Sequence, residues 1–217
     1  MKISRRHIKA ATGTHEFTVE QLRGSADADA CAAVSRRFAG VIDAKFAAAR
    51  GDGAAIACHA GCSFCCYQRV GVLPHEAVAL RHKLRDGMPR EQALPIERRL
   101  LDNARRVAGL SAGEHYAAKI PCAFLVEHRC SAYDARPGTC AVYHSMSRAR
   151  CAQSFEHPAG LGTPSASRPV LSELQAFGDA QIEATRAGLV DAGIEATRVE
   201  LHEALRRLIE DSAEPNA

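Results

Sequence analysis

The sequence has no tryptophan, few aromatic residues and no long apolar run. Only 5% of its 217 residues are aromatic, so the hydrophobic core has to consist mainly of Ala, Leu and Val. No stretch approaches the ~20 apolar residues that a membrane-spanning helix requires. Residues 1–17 include basic side chains, but no apolar run of the kind found in signal peptides follows them. We therefore expect a cytoplasmic protein without a membrane partner.

Charge of one sign is also scarce. The formal net charge is +3 and 47% of the residues are apolar, which excludes a disordered or low-complexity chain. A chain of this length buries roughly 70% of the surface that its unfolded form exposes, so it can form a core. Four arginines share one face of a predicted helix: Arg98, Arg99, Arg105 and Arg106. Because no aromatic residues interleave with them, we expect a solvated face and no nucleic-acid partner.

Apolar residues at helical spacing predict a mainly α fold. Residues 26–50 form an amphipathic pattern that ends at Gly51, and Pro74 suits the first turn of a second helix. Residues 91–110 carry another helical pattern. Two further helical patterns, joined at Gly193, predict a C-terminal helical hairpin. We expect these helices to enclose two irregular, cysteine-rich, metal-binding loops.

Composition divides the chain into three parts. Residues 1–25 are expected to be a mobile N-terminal segment, and residues 26–159 a cysteine-cluster metal-binding domain. Residues 160–217 are expected to contain a linker, rich in Gly, Ser and Pro, and then the helical hairpin, packed on that domain.

Eight of the nine cysteines form two dense blocks. They are Cys58, Cys62, Cys65 and Cys66 in the first block, and Cys122, Cys130, Cys140 and Cys151 in the second. An odd total and an adjacent pair argue against a disulfide framework in a reducing compartment. Zinc takes four soft ligands, and two residues between Cys62 and Cys65 let both side chains reach one ion. All eight are therefore candidate metal ligands, while Cys31, alone on an alanine-rich helix, is expected in the core.

The adjacent pair limits how the thiols can be shared. Neighbouring side chains diverge by about 100° in a helix and oppose each other in a strand, so Cys65 and Cys66 are not expected on one tetrahedral ion. Each serves a different metal, or one of them bridges or stays outside the ligand set. Neither block offers two complete four-ligand sets, so the sites draw on both blocks. His59 and His144 adjoin the blocks and could replace a thiolate. Basic residues outnumber acidic ones between Cys58 and Cys151, 14 to 8, and positive neighbours lower thiol pKa values.

The two blocks carry motifs of a known family. The run CHAGCSFCC, followed by PCAFL at 121–125, CSAY at 130–133 and RPGTC at 136–140, resembles the bacterial CxxCxxCC family of zinc- or iron-chelating domains. This sequence departs from the family in the three residues between Cys58 and Cys62, in Ala123 where proline is usual, and in Ala141 where arginine is common. The same domain occurs in flagellin lysine N-methylase, so the resemblance also implies that an iron–sulfur centre and protein methylation are conceivable.

Two functional hypotheses follow, and no catalytic residue is assigned. Residues 109–113 match the GxSxG pattern, but a helix precedes Ser111, so we expect a cap or turn residue there. The first hypothesis is a Zn²⁺- or iron-binding protein with a structural, regulatory or carrier role, which predicts closed sites without a deep adjacent pocket. The second is an iron–sulfur protein with redox or protein-modifying activity on a protein partner, which predicts a cleft beside the cluster. A redox switch at Cys65 and Cys66 is least favoured, because their disulfide would close a strained ring.

Overall fold

The computed structural model describes residues 5–161 and 163–212, and its fold is mainly α, as predicted. In chain order the helices are α1 (Arg5–Leu22), α2 (Ala28–Gly51), α3 (Pro74–Arg85), α4 (Arg90–Val107), α5 (Ala112–Ala117), α6 (Gly138–Ala141), α7 (Arg148–Glu156), α8 (Pro158–Leu161), α9 (Pro164–Ser167), α10 (Ser172–Asp191) and α11 (Leu201–Asp211). The strands are β1 (Gly71–Val72), β2 (Leu125–Val126), β3 (Arg129–Cys130) and β4 (Val199–Glu200), and 3₁₀ turns occupy Phe64–Tyr67 and Tyr133–Ala135. Strands β1 and β4 pair antiparallel, as do β2 and β3.

Helix α2 packs against four other helices and carries the first predicted pattern. Asp27 caps it by accepting a hydrogen bond from the Ala30 N–H at 2.9 Å. Its buried face includes Cys31, which is 1% exposed and packs in the core as expected. Helix α3 begins at Pro74, which confirms the role given to that proline. Helix α2 contacts α1, α3, α6 and α10, so it joins the N-terminal half to the cysteine region.

Residues 5–22 of the predicted N-terminal segment form helix α1. Helix α1 lies along α10, where a Cβ added at Gly188 would stand 2.8 Å from the Thr18 Cβ. The Thr14 hydroxyl donates to the Gln181 Oε1 at 2.5 Å inside this contact. Apolar side chains also take part in this contact, since Leu22 and Phe17 of α1 belong to the same core cluster as Leu189 of α10. Residues 1–4 of that predicted segment lie outside the described residues.

Both predicted C-terminal helices are present, but they do not form a hairpin. Helix α10 packs mainly on α1, whereas α11 packs on α3 and α4. Strand β4 lies between them and pairs with β1, with Gly71 opposite Glu200. This pairing carries the chain away from α10, so Leu201 and Leu205 enter the core cluster formed by α3 and α4.

Short elements complete the described part of the chain. The predicted linker includes the end of α8 and all of α9, and residue 162 between them lies outside the described residues. Ser111 caps α5, as expected, by accepting from the Glu114 N–H at 3.2 Å. Within the ranges described, no helix combines the length and apolar character that crossing a membrane requires.

Candidate metal centre

All eight cysteines of the two blocks line one cavity of about 710 Å³. None of them forms a disulfide in the described structure, and seven of the eight residues are partly or fully buried. Apolar and aromatic side chains, among them Phe46, Phe64, Leu80, Phe124 and Leu201, form much of the remaining wall. Among the described residues, no three Cys, His, Asp or Glu side chains stand close enough together to hold an ion as placed. Thiols are soft donors, so the residues present fit a soft metal. To form a closed ligand set, the thiols would have to move closer together.

The first block folds as a tight loop followed by a 3₁₀ turn. Gly61 has a φ of +88°, which favours glycine, and the Cys62 N–H donates to the His59 carbonyl at 3.1 Å. Cys65 and Cys66 are consecutive residues of the 3₁₀ turn, in which successive side chains diverge by about 120°. Their thiols still share a hydrogen bond with each other. The two side chains leave the backbone in different directions, as predicted, yet their sulfur atoms are in direct contact.

The Cys122 backbone is held from several sides. The Cys122 N–H donates to the Cys66 carbonyl at 2.7 Å, which joins the second block directly to the first. Asn103, which is fully buried, donates from Nδ2 to the Pro121 carbonyl at 2.7 Å. Arg99 donates from Nε to the Ala123 carbonyl at 2.9 Å. The predicted solvated face of α4 thus contains one arginine that supports the site.

A buried His–Glu pair completes the support of this loop. His202 donates from Nδ1 to the Glu200 Oε1 at 2.8 Å, and both side chains are less than 5% exposed. Its Nε2 accepts from the Ala123 N–H at 3.2 Å, which assigns the proton to Nδ1. Burial raises the pKa of Glu200, but the hydrogen bonds that its carboxylate accepts from the His202 ring and from the Glu203 N–H lower it, and the pKa is lowered overall. Neither residue could be identified from the sequence, because hydrogen bonds to backbone atoms follow no recurring spacing of residues.

Cys130 lies on the hairpin formed by β2 and β3. The two turn residues, Glu127 and His128, have φ values of 47° and 61°, a region that non-glycine residues rarely adopt. The turn places the His128 Nδ1 3.1 Å from the Ser63 hydroxyl, which belongs to the first block. The hairpin tip therefore touches the first cysteine loop across the cavity.

Cys140 lies on α6, which is anchored by a buried carboxylate. Glu76 accepts from the Gly138 N–H at 2.6 Å and from the Leu73 N–H at 2.7 Å. Just before α6, Arg136 pairs at 2.5 Å with Asp43, a carboxylate of α2 that is distant in sequence.

Cys151 lies on helix α7, although the second block was expected to be entirely irregular. Ser147 caps α7, and Phe155 on α7 packs 4.8 Å from the Tyr67 ring and 5.7 Å from the Phe64 ring. These ring contacts dock α7 on the 3₁₀ turn of the first block. The helix therefore carries Cys151 to the wall of the cavity.

Burial dominates the electrostatics of most of the thiols. It raises the pKa of Cys58 to about 11 and the pKa of Cys122 to about 12, and it raises the pKa of Cys140 well above 9.0. Cys140 is the most exposed of the eight residues, yet the surface that it exposes faces the cavity and its neighbouring thiols. Cys65 is the exception, because the hydrogen bond with Cys66 lowers its pKa.

The arginines near the cavity do not keep these thiols ionised. Burial raises the pKa of Cys122, and the lowering effects of the Phe124 backbone hydrogen bond and of the Arg99 charge do not offset it. Without a cation such thiols stay protonated at neutral pH, and a metal ion would have to displace their protons.

The two candidate histidines differ in availability. His144 is fully buried, with Nδ1 donating to the Val142 carbonyl at 3.2 Å and Nε2 accepting from the Leu171 N–H at 3.0 Å. Both of its nitrogens are therefore engaged and neither can bind a metal as folded. His59 is exposed at the cavity wall, with Nδ1 2.8 Å from the Ala60 carbonyl oxygen.

A mainly helical domain in which eight unpaired cysteines line one cavity defines a cysteine-cluster domain with the donors for metal chelation. Residues 57–159, just under half of the chain, match the model of the CxxCxxCC family, described as a “putative zinc- or iron-chelating domain”. This match confirms the resemblance found in the cysteine motifs and supports a metal-binding role. Neither a curated protein nor a solved structure gives a match to this chain.

Proposed function

We propose that the eight cysteines chelate zinc or iron, and that the bound metal gives this cytoplasmic protein a structural, regulatory or metal-carrier role. One observation carries the proposal: thiols spread over residues 58–151 line a single cavity, and no disulfide uses them in the described structure. Sulfur is the preferred donor for structural zinc and for iron–sulfur clusters.

The chain segments that carry the cysteines favour a stabilising role for the metal. Much of the cavity wall consists of short turns and two-residue strands rather than long helices. A structural zinc ion contributes apparent binding energy of ~10–16 kcal/mol, and binding to the folded state alone adds to folding stability. We therefore expect the metal to join the first block to the second, while the α1 and α10 pair stays folded without it.

The size of the cavity favours a second candidate function. Its volume of about 710 Å³ lies within the ~300–1,000 Å³ typical of small-molecule sites, and it exceeds what one or two coordinated ions need. A purely structural metal predicts closed sites without an adjacent pocket, and this cavity does not match that prediction. An iron–sulfur protein with redox or protein-modifying activity would use it beside the cluster. Tyr133, 58% exposed at the cavity edge, offers a contact for a protein partner.

Substitution of the cysteines tests the proposal. Cys→Ser changes at Cys62, Cys65, Cys122 and Cys140 are each expected to lower metal content and thermal stability together, because each removes a thiolate that water cannot replace equally. Cys31→Ser is the matched control, since Cys31 is buried on α2 away from the cavity. It should leave metal stoichiometry unchanged. Chelation is excluded if all four cavity variants hold as much metal as the parent and unfold at the same temperature.

A further inference from the structure

The hairpin formed by β2 and β3 is anchored at its base and exposed at its tip. At the base, the Ser131 N–H donates to the Phe124 carbonyl at 2.9 Å. Phe124 is 2% exposed and Ala132 is fully buried, so the base belongs to the core. Residues 126–129 at the tip are all exposed, and each strand has only two residues. Segments with little buried surface open locally at low cost, so the tip can separate from the cavity while the base stays in place.

The turn at the tip has an unfavourable backbone conformation for its residue types. Glu127 and His128 have φ values of 47° and 61°. A two-residue hairpin turn with positive φ at both positions is most often formed by Asn and Gly. Residues with a Cβ adopt this left-handed region at an energetic cost. The contacts around the turn therefore have to offset that cost for the hairpin to stay closed.

A side-chain contact joins the tip to the opposite side of the cavity. The Ser63 hydroxyl lies 3.1 Å from the His128 Nδ1. Ser63 stands between Cys62 and Phe64, both of which line the cavity, as do His128 and Arg129. The contact thus connects the second cysteine block to the first across the cavity. One hydrogen bond at the surface contributes little net stability, so this contact can break while the rest of the fold persists.

We propose that the hairpin, residues 125–130, is a flap that controls the passage of a metal ion into and out of the cavity. Its hinge is the base at Phe124 and Ser131, and the Ser63–His128 contact holds it closed. Opening separates the tip from the first block and widens access to the cavity thiols. This inference rests on the proposed chelating function for the nature of the ion. It concerns the rates of uptake and release, and it holds for any division of the thiols between ions.

The rates of Cd²⁺ uptake and release by the full chain provide the test. Uptake is followed by the ultraviolet absorbance of cadmium–thiolate bonds, and release is started with excess EDTA. Because the ion passes the flap in both directions, more frequent opening speeds both rates by the same factor and leaves the affinity unchanged. Ser63→Ala removes the closing contact and should speed both rates about two- to tenfold. Ser172→Ala is the control, since Ser172 is exposed at the start of α10 and does not line the cavity.

A substitution in the turn should have the opposite effect. Glu127→Gly should slow uptake and release about two- to fivefold, because glycine adopts the left-handed conformation without the Cβ penalty and the closed hairpin becomes more stable. Glu127→Ala removes the same carboxylate but keeps a Cβ, so its rates should match those of the parent. The pair of variants separates the backbone effect from the loss of charge.

Amide exchange measures the opening without a metal. Exchange in residues 125–130 should be faster in Ser63→Ala and slower in Glu127→Gly than in the parent, whereas exchange in α3 should be equal in all three. Unchanged rates of uptake and release in both variants, or an altered affinity with unchanged uptake, would overturn the flap. Faster exchange in α3 together with the hairpin would show general unfolding instead, and would also overturn it. A parent that binds neither cadmium, zinc nor iron would refute the chelating function, and amide exchange alone would then decide whether the hairpin opens.

Discussion

Replacing His202 with leucine should destabilise the protein strongly, because two buried groups depend on its ring. The ring donates to the Glu200 carboxylate at 2.8 Å and accepts from the Ala123 N–H at 3.2 Å. Its side chain is 3% exposed and that of Glu200 is 4% exposed, so water cannot replace either bond. Leucine keeps most of the volume but leaves a buried carboxylate and a buried N–H without this partner.

The expected loss follows from these contacts. Leaving a buried carboxylate without its hydrogen-bond donor costs more than leaving a neutral group unsatisfied, so the loss of unfolding free energy should exceed about 3 kcal/mol. In a Glu200→Gln background the residue is neutral, so the same His202→Leu change should cost only about 1–3 kcal/mol, the penalty for an unsatisfied polar group. The Glu200 side chain also caps α11 by accepting from the Glu203 N–H at 3.0 Å, and glutamine retains an oxygen for that bond.

Urea unfolding of the four proteins in this cycle measures the difference. The parent pKa of Glu200 is lowered, so its carboxylate stabilises the fold above its ordinary pKa of 4.5 and ceases to do so as the pH falls through the folded value. Without His202, burial raises that pKa instead. The difference in unfolding free energy between the parent and His202→Leu should therefore be large at pH 7 and should narrow as the pH falls below 4.5. Equal costs in both backgrounds, or a loss under about 1 kcal/mol at pH 7, would refute the assignment of a buried pair.

Three further predictions concern pH, packing and metal removal. Burial lowers the pKa of His75, so the unfolded chain binds a proton at this residue at a higher pH than the folded chain does, and stability should decline as the pH falls below 6.5. Unfolding free energies measured between pH 7.5 and 5.5 check this. In the His75→Gln variant the unfolding free energy should depend less steeply on pH. Gly178→Ala should cost about 1–3 kcal/mol, because the new Cβ would stand 2.7 Å from the Val142 Cβ. A Cβ added at Gly40 would have no atom within 4 Å, so Gly40→Ala should stabilise α2 by about 0.5–1 kcal/mol. Thermal unfolding measures both changes. Removing metal with a chelator should speed amide exchange in residues 58–66 and 122–140 but not in α1 and α10, and uniform exchange across the chain would contradict the stabilising role.

Much of the fold follows from local sequence signals. Periodic apolar residues and the cap at Asp27 identify α2, and Pro74 marks the start of α3, because these features act within one turn of a helix. Helix α1 was not predicted because its contact with α10 combines few apolar side chains, such as Leu22, with the threonines Thr14 and Thr18. The hairpin prediction failed because pairing of β1 with β4 depends on residues more than a hundred positions apart, which no local pattern shows.

The candidate site follows from sequence only as far as its donors. Dense cysteines with turn-forming neighbours identify the candidate ligands, and thiol chemistry gives the class of metal. The groups that fix the Cys122 loop were not predictable, since Asn103 and His202 bind backbone atoms of that loop from two separate helices. Every residue has a backbone, so a hydrogen bond to a backbone atom requires no particular residue type or spacing in the sequence.

The metal content of the full chain, purified anaerobically without added metal, tests the central claim most directly. Zinc, iron and inorganic sulfide per chain would be measured together with a visible spectrum and a count of reactive thiols. The chelating account predicts bound zinc without colour, or iron with sulfide and a brown absorbance, and in either case cavity thiols that react only after the metal is removed. A folded protein that is free of both metals, with all eight cavity cysteines open to reagent, would contradict it.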